Sequence, residues 1–258
     1  MSDYGVGFLQ PLALRWMRHF HNQSAATLVP TCELSDFLRG ERFSDVYHLQ
    51  RAVDTVRFDP ARRIHALRDA WGVAPDGLAA IYLGRIAAEK NLPLAIRAFR
   101  ALQQQRPDAK FAWVGEGPEL AGIRNANPDF VFCGLRRDED LAAHFASADM
   151  FVFPSHSETF GNVVLEALAS GLAVIAYDQA AAAQYIRHGY NGVLAMPGDE
   201  RGFIEAAGWL LDDGESRRRM RLNARREASQ CGWPQIVEQF EALLRQATQN
   251  TLNTRQVA

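Results

Sequence analysis

Residues 150–177 read MFVFPSHSETFGNVVLEALASGLAVIAY and hold one complete strand–helix–strand pattern. Residues 150–153 and 172–177 are short apolar runs, and residues 162–169 between them have the length and composition of a helix. Continuous apolar runs are typical of strands that are buried on both faces. A helix joining two such runs predicts parallel strands in one sheet.

The same unit repeats on both sides of this stretch. Further apolar runs lie at residues 78–83, 111–114, 130–133 and 193–196. Helical patterns between the runs cover residues 93–105, 118–125, 138–146 and 179–187. Strand-to-strand crossovers of this kind are right-handed. The sequence therefore predicts an α/β fold with a Rossmann-like parallel sheet flanked by helices.

The two flanks differ from this central pattern. Residues 1–58 hold two helical stretches (8–22 and 33–39) and two short strand patterns (27–30 and 46–50), too few strands to close a sheet. After Glu200 the patterns are helical, at 203–211, 215–229 and 233–247, before a polar tail that we expect to be frayed. We therefore divide the chain at 1–58, 59–232 and 233–258.

Composition excludes several classes of protein. The net charge of −2 argues against a nucleic-acid partner, which usually requires a basic face. The arginines between residues 217 and 226 indicate a solvated helix face, with attraction to a membrane surface as a minor alternative. Cys32, Cys133 and Cys231 match no zinc or redox spacing, which favours a reduced, cytoplasmic protein.

Ligands of an open parallel sheet bind outside the carboxyl ends of its strands. The loop after residues 78–83 begins with Gly84 and places Arg85 and Lys90 five residues apart, ahead of a predicted helix. For either cation alone, a solvated turn is the plainer interpretation. Together, two cations and the amides of a helix N-terminus can hold a phosphate group.

The loop after residues 150–153 leads into a helix through Phe160, Gly161, Asn162 and Val163. Glycine lets a ligand approach the backbone closely, and the first amides of a helix have no partner within it. This segment is therefore a second candidate for ligand binding through the main chain.

Two carboxylates flank that helix start. Glu158 precedes the helix, and Glu166 lies about a turn inside it among apolar residues. Carboxylates accept hydrogen bonds from vicinal hydroxyls, so the pair suits a hydroxyl-rich ligand. The alternative for Glu158 is favourable interaction with the helix dipole.

Two other loops carry weaker signals. Gly115-Glu116-Gly117-Pro118 begins like a dinucleotide fingerprint, but Leu120 occupies the third glycine position. A nicotinamide or flavin site is therefore poorly supported, and we predict no cofactor. Gly134-Leu135 follows residues 130–133 and forms a turn where a base could stack.

Metal ligands are also poorly supported. Asp138 and Asp140 form an Asp-x-Asp pattern, but they begin a predicted helix, where acidic residues complement the dipole. His19 and His21 are two residues apart on a helix and do not share a face. We predict no metal site.

Taken together, five pieces of sequence in this order resemble the retaining, GT-B-fold glycosyltransferases of family four. The pieces lie at residues 84–91, 114–118, 132–134, 154–167 and 189–192. The spacing of Glu158 and Glu166 is that family's best-known signature.

The resemblance implies roles for the candidate residues. Arg85 and Lys90 would bind the donor diphosphate and neutralise it as it leaves, Glu158 would contact the donor sugar, and Glu166 would contact the ribose. The wider donor-binding set would be Gly84, Leu135, Phe160, Gly161, Asn162, Val163 and Glu166. The catalytic set would be Arg85, Lys90 and Glu158, without a metal.

The resemblance also implies a second Rossmann-like domain. Residues 1–58 would be the remnant of an N-terminal acceptor-binding domain, residues 59–232 the nucleotide-sugar-binding domain, and residues 233–258 a crossover helix and tail. The family's catalytic histidine would lie outside this chain, and His19 and His21 do not replace it. We therefore expect exposed apolar side chains within residues 8–20 and 233–244, and little sugar transfer by this chain alone.

The sequence thus predicts transfer of a mannose- or glucose-type hexose from a nucleotide diphosphate sugar to a lipid or glycan acceptor. Residues 4–22 resemble GDP-mannose-dependent members, so GDP-mannose is the first choice of donor and a UDP-hexose the second. The alternatives are a nucleotide-sugar-binding module without turnover and a sugar-nucleotide epimerase of similar fold. The expected location is the cytoplasm, with peripheral contact at the inner membrane face as an extension.

Overall fold

The computed structural model describes residues 10–156, 161–212 and 214–257. It contains two compact units, one formed by residues 53–233 and the other by the segments 1–52 and 234–258. The helices are α1 Gln10–His21, α2 Cys32–Gly40, α3 His65–Ala70, α4 Leu92–Gln105, α5 Leu120–Ala126, α6 Asp138–Ser147, α7 Asn162–Ala169, α8 Ala180–Tyr185, α9 Glu200–Asp212, α10 Gly214–Ala228 and α11 Trp233–Val257. The strands are β1 Thr27–Val29, β2 Val46–His48, β3 Ala79–Leu83, β4 Lys110–Val114, β5 Val131–Gly134, β6 Met150–Phe153, β7 Ala173–Tyr177 and β8 Gly192–Ala195.

The larger unit is built on one six-stranded sheet. Its strand order is β5-β4-β3-β6-β7-β8, and every pairing is parallel. The chain runs outward from β3 to β5, returns to the middle at β6, and then runs outward to β8. The direction of winding therefore reverses between β3 and β6, and in such sheets a crevice opens at that point.

Both faces of the sheet are buried, as the apolar runs predict. Alternate residues of β3 enter different cores: Ala79 and Ile81 pack on one side, and Ala80 and Tyr82 on the other. Side chains of α6 and α7 belong to the first core, and side chains of α4 and α9 to the second. A strand between two helix layers has no solvent face, so its sequence is continuously apolar.

The predicted fold class is confirmed. Each predicted strand of the sheet agrees with the observed one to within one residue at either end, and α7 has the predicted bounds. The expectation that the last helix ends at Ala247 is wrong, because α11 continues to Val257. No proline or glycine follows Pro234, so no residue there breaks the helix.

The smaller unit contains a two-stranded parallel sheet of β1 and β2 over a small core. That core is formed by Val29, Leu38, Phe43 and Val46. Leu12, Trp16 and Phe20 of α1 are exposed, as expected, and so are Phe240 and Leu244 of α11, whereas Ile236 is buried. Among the described residues, none of the helices combines the length and apolar composition needed to cross a bilayer.

A buried carboxylate, that of Asp149, joins several elements at the amino ends of the strands. Its Oδ2 accepts hydrogen bonds from the Ala79 amide (2.9 Å) and from Arg68 (3.0 Å). Its Oδ1 accepts from Arg63 (2.9 Å) and Arg221 (3.1 Å). Burial alone would raise the pKa of Asp149, but the three arginines and the amide outweigh it and hold the pKa below its ordinary value.

We predict that Asp149→Asn lowers the free energy of unfolding by about 3–5 kcal/mol, because it leaves buried arginine charges uncompensated. Urea denaturation at pH 7 measures the loss. The matched control is Asp108→Asn, which removes an exposed pair with Arg106 (3.1 Å) and should cost at most about 1 kcal/mol. Equal losses in the two variants would contradict the proposed role of Asp149.

The stability difference between wild type and Asp149→Asn depends on pH, and the direction of the pKa shift of Asp149 gives the sign of that dependence. Because the folded-state pKa of Asp149 is depressed, its contribution is present above the unfolded value of about 3.9 and is lost as the pH falls through the folded value. The difference between wild type and Asp149→Asn should therefore shrink in acid.

Candidate functional site

The loops that follow β3, β4 and β5 are joined through their backbones. The amide of Gly84 donates to the carbonyl of Val114 (3.1 Å), and the amide of Ile86 donates to the carbonyl of Glu116 (2.8 Å). The amide of Gly115 in turn donates to the carbonyl of Gly134 (2.9 Å). These bonds hold three loops at the carboxyl edge of the sheet in one arrangement.

Two glycines make that close approach feasible. A Cβ atom at Gly115 would lie 2.0 Å from the carbonyl oxygen of Gly84, and Gly115 has a φ of 139°. A Cβ atom at Gly117 would lie 2.1 Å from the carbonyl oxygen of Ile86. The Gly115-Glu116-Gly117 segment, which resembles part of a dinucleotide fingerprint, is therefore required for packing between loops.

A pocket of about 320 Å³ opens beside these joined loops. Three residues predicted from sequence line it, namely Gly84, Arg85 and Leu135. Glu116 and Arg136 also line it. The Leu135 side chain is half exposed, so an apolar surface is available to a flat ligand at the mouth.

The two predicted cations lie in the loop between β3 and α4. The Arg85 side chain is 67 % exposed and forms an ion pair with Glu89 (3.3 Å). Lys90 ends a 3₁₀ turn, Ala88–Lys90, and the next residue, Asn91, is the N-cap of α4 with φ 51° and ψ 44°. Both cations therefore precede the N-terminus of α4, a 14-residue helix. This N-terminus follows the carboxyl end of β3.

The segment that leads into α7, the second candidate for ligand binding, is only partly within the described residues. Gly161 caps α7 with a φ of 87°, a left-handed conformation that glycine adopts without strain. Asn162 and Val163 form the first turn of α7. Glu158 and Phe160 lie outside the described residues, so their roles stay predictions.

Glu166 lies on α7 and is partly buried. Burial raises the pKa of Glu166, while the positive charge of Arg57 acts in the opposite sense. Arg57 also lies 3.4 Å from Asp138, so the start of α6 shares this cation. Arg57 has no signal in the local sequence, because it precedes the sheet by some twenty residues.

Arg136 is a further pocket residue that the sequence pattern does not indicate. Its Nε donates to the carbonyl of Cys133 (2.8 Å), and its Nη1 donates to Asp140 (3.1 Å). The four-residue spacing of Arg136 and Asp140 could have indicated this ion pair from the sequence, because side chains four residues apart meet on one face of a helix. Asp140 thus holds an arginine at the pocket mouth.

The metal candidates occupy separate environments. His19 contacts Gln23 (3.0 Å), and His21 contacts Thr27 (3.2 Å). Within the part of the chain that the structure describes, there is no group of three or more His, Cys, Asp or Glu side chains able to hold a metal ion.

Comparison with known proteins identifies the family. The family model for glycosyl transferases group 1 matches residues 64–227, well over half of the chain. The chain belongs to the group 1 glycosyltransferases. The matched region contains the whole six-stranded sheet of this group 1 glycosyltransferase and the pocket at its carboxyl edge.

Two curated relatives of this group 1 glycosyltransferase are GDP-mannose-dependent alpha-mannosyltransferases. The protein from Corynebacterium glutamicum is 36 % identical over 80 % of this chain and 49 % of its own length. The protein from Mycolicibacterium smegmatis is 34 % identical over 94 % of this chain and 64 % of its own length. The chain therefore spans about half to two thirds of the relatives that it matches.

Solved structures show the same GT-B fold. Sucrose-phosphate synthase from Thermosynechococcus elongatus aligns with a TM-score of 0.78 at 22 % identity, over 92 % of this chain and 62 % of that one. The Anabaena protein HepE, solved in complex with UDP, also aligns with a TM-score of 0.78 at 22 % identity, over 90 % of this chain and 67 % of that one.

We predict that Gly115→Ala lowers the free energy of unfolding by at least about 2 kcal/mol, because it combines a left-handed backbone with a Cβ atom 2.0 Å from a carbonyl oxygen. The control is Gly122→Ala in α5, where a Cβ atom meets nothing within 4 Å. That change should raise stability by up to about 1 kcal/mol. Thermal or urea denaturation of both variants checks the pair, and a stable Gly115→Ala would contradict the packing role.

Proposed function

We propose that this protein is the donor-binding part of a retaining glycosyltransferase that moves a hexose from a nucleotide diphosphate sugar to a lipid or glycan acceptor. The observation that carries the proposal is the pair of cations, Arg85 and Lys90, between β3 and a helix N-terminus at the point where the winding of the sheet reverses. The identity with two GDP-mannose-dependent mannosyltransferases supports mannose as the sugar and GDP as its carrier. A UDP-hexose is the second choice.

The cation loop suits the leaving group of this reaction. Breaking the glycosidic bond to a diphosphate leaves negative charge on phosphate oxygens. Arg85 and Lys90 can pair with those oxygens, and the N-terminal dipole of α4 favours the same charge. Fixed donors aimed at developing charge contribute about 2.7–4 kcal/mol each in comparable sites.

The pocket beside this loop suits a nucleoside. Gly84, Leu135 and Arg136 offer a backbone edge, an exposed apolar side chain and a planar cation to a base. Glu166 would accept hydrogen bonds from the ribose hydroxyls. Glu158 and the amides of Phe160, Gly161 and Asn162 would serve the sugar, and these assignments remain predictions.

The acceptor would bind outside the donor pocket. In this proposal residues 1–58 belong to the acceptor-binding domain and residues 59–232 to the donor-binding domain. Without a complete acceptor side, orientation of the reacting hydroxyl is lost, and orientation can account for about 7–11 kcal/mol of a barrier. We therefore expect this chain alone to transfer little sugar. The location that we propose for the protein is the cytoplasm, with peripheral contact at the inner membrane face.

The second candidate function is a nucleotide-sugar-binding module without turnover. The observation that favours it is that every residue lining the pocket belongs to the unit formed by residues 53–233. Both candidates share the donor pocket and differ only in transfer.

Nucleotide binding tests the shared part. We expect millimolar GDP or UDP to raise the melting temperature of the 258-residue chain by several degrees, because a ligand at about 100 times its Kd stabilises the folded state by about 2.7 kcal/mol. Transfer from radiolabelled GDP-mannose to membrane lipids, by this chain and by a form extended with upstream coding sequence, then separates the two functions. The absence of both a thermal shift and calorimetric heat with GDP, UDP and ADP would refute the donor site.

Two substitutions test the division of roles. Arg85→Ala should weaken GDP binding about tenfold to a hundredfold and change guanosine binding far less, because in this proposal its guanidinium pairs with the diphosphate. Glu166→Gln should weaken both ligands by a similar factor, because ribose is common to both. Isothermal titration calorimetry measures the four affinities.

Arg106→Ala is the matched control for these variants. Arg106 is an arginine at the other end of α4, paired with Asp108 and away from the pocket. It should leave both ligands unaffected. Equal losses of guanosine affinity in Arg85→Ala and Glu166→Gln would show that the assigned roles are wrong.

A further inference from the structure

One side-chain hydrogen bond spans the point where the winding of the sheet reverses. Asn91 lies in the loop after β3, and His156 lies in the loop after β6, the strand next to β3 in the sheet. Asn91 Nδ2 and His156 Nε2 are 3.0 Å apart. The bond therefore connects the two walls of the crevice in which ligands of such sheets bind.

Asn91 is held in an unusual state for this contact. It has left-handed dihedral angles (φ 51°, ψ 44°), which asparagine tolerates better than most residues. It occupies the N-cap position of α4, where asparagine commonly bonds to the helix amides, yet its side chain makes no capping bond. The side chain is instead directed across the crevice to His156.

The imidazole of His156 is fixed from a second direction. It stacks on the ring of Tyr177, with centroids 4.4 Å apart and an interplanar angle of 23°. Tyr177 ends β7, is buried, and packs in turn on Phe203. The stacking and the contact at Nε2 together define the orientation of this exposed side chain.

The contact with Asn91 also determines the tautomer. When Nε2 accepts a hydrogen bond from an amide nitrogen, the proton of a neutral imidazole resides on Nδ1, which then acts as a donor. Among the described residues, His156 has no other hydrogen-bonding partner. Nδ1 is therefore the N–H donor of a ring that is held next to the loop carrying Lys90.

We propose that His156 is a further ligand of the donor diphosphate, acting beside Arg85 and Lys90, and that Asn91 is the residue that positions it. The inference rests on the proposed function. Asn91 directly follows Lys90, so the ring lies beside the same loop that would hold the phosphates. An imidazole N–H can donate to a phosphate oxygen.

Substitution of His156 by glutamine or by asparagine separates a role in phosphate binding from a purely structural contact with Asn91. The terminal group of glutamine can take the place of Nε2, so His156→Gln can keep the contact with Asn91 while it removes the Nδ1 donor. Asparagine places its amide near Nδ1, so His156→Asn keeps a donor toward the crevice and loses the contact with Asn91.

The measurement is the calorimetric affinity of the 258-residue chain for GDP and for guanosine. We expect His156→Gln to weaken GDP binding by roughly threefold to thirtyfold, with less than a twofold change for guanosine. His156→Asn should lose less GDP affinity than His156→Gln. His188→Gln is the control, because His188 is another exposed imidazole stacked on an aromatic ring, Trp209, and it precedes β8, the outermost strand, rather than β3 or β6.

Asn91→Gly tests the positioning role without straining the backbone, since glycine adopts left-handed angles freely. It should weaken GDP binding in the wild-type background and have no further effect in His156→Gln, because the Nδ1 donor that Asn91 would position is already absent there. Melting temperatures without ligand show whether each variant is folded.

The possible failures are distinguishable. If the unaltered chain binds neither GDP nor UDP, the proposed function fails and this inference fails with it. If it binds GDP and His156→Gln keeps wild-type affinity, or loses GDP and guanosine equally, only the inference about His156 is overturned. Additive effects of Asn91→Gly and His156→Gln would overturn the positioning role of Asn91.

Discussion

The buried charge of Asp149 constrains the larger unit more than any other single group. A carboxylate at the amino end of a central strand must be compensated, and three arginines from separate segments together with the Ala79 amide do so. The backbone of Asp149 also bonds to Ala79 and to Ala173. The amino ends of β3, β6 and β7 are therefore held in one register, because any displacement would leave a buried charge without partners.

That constraint leaves the opposite edge available for ligand binding. The loops at the carboxyl ends of β3, β4 and β5 are joined by backbone hydrogen bonds, and several of their residues adopt positive φ angles. Gly115 and Gly117 let two loops meet backbone to backbone. Asn91 takes left-handed angles where α4 begins. The exposed Arg85 and the half-exposed Leu135 line the pocket beside these loops. A cation and an apolar side chain together suit a ligand with a charged part and a flat part.

The candidate site was predictable where its chemistry follows a strand directly. Gly84, Arg85 and Leu135 come from loops that sequence periodicity places at one edge, and the structure brings them to one pocket. Arg57 and Arg136 were not predictable in this way. Arg57 is distant in sequence from Glu166, whose pKa it influences, and Arg136 faces the pocket because Asp140 and the Cys133 carbonyl hold it there.

The sequence by itself determined the class of fold, the number and approximate bounds of the strands in the main sheet, and the family, because apolar periodicity and short motifs are local properties. Only the tertiary structure decided the strand order, the winding reversal between β3 and β6, and the contacts across it. It also decided that Asp149, one polar residue ahead of an apolar strand, is the centre of a buried network. Such features depend on which distant segments meet, and the free energy of a buried charge or of a glycine contact is set by those partners rather than by neighbours in the chain.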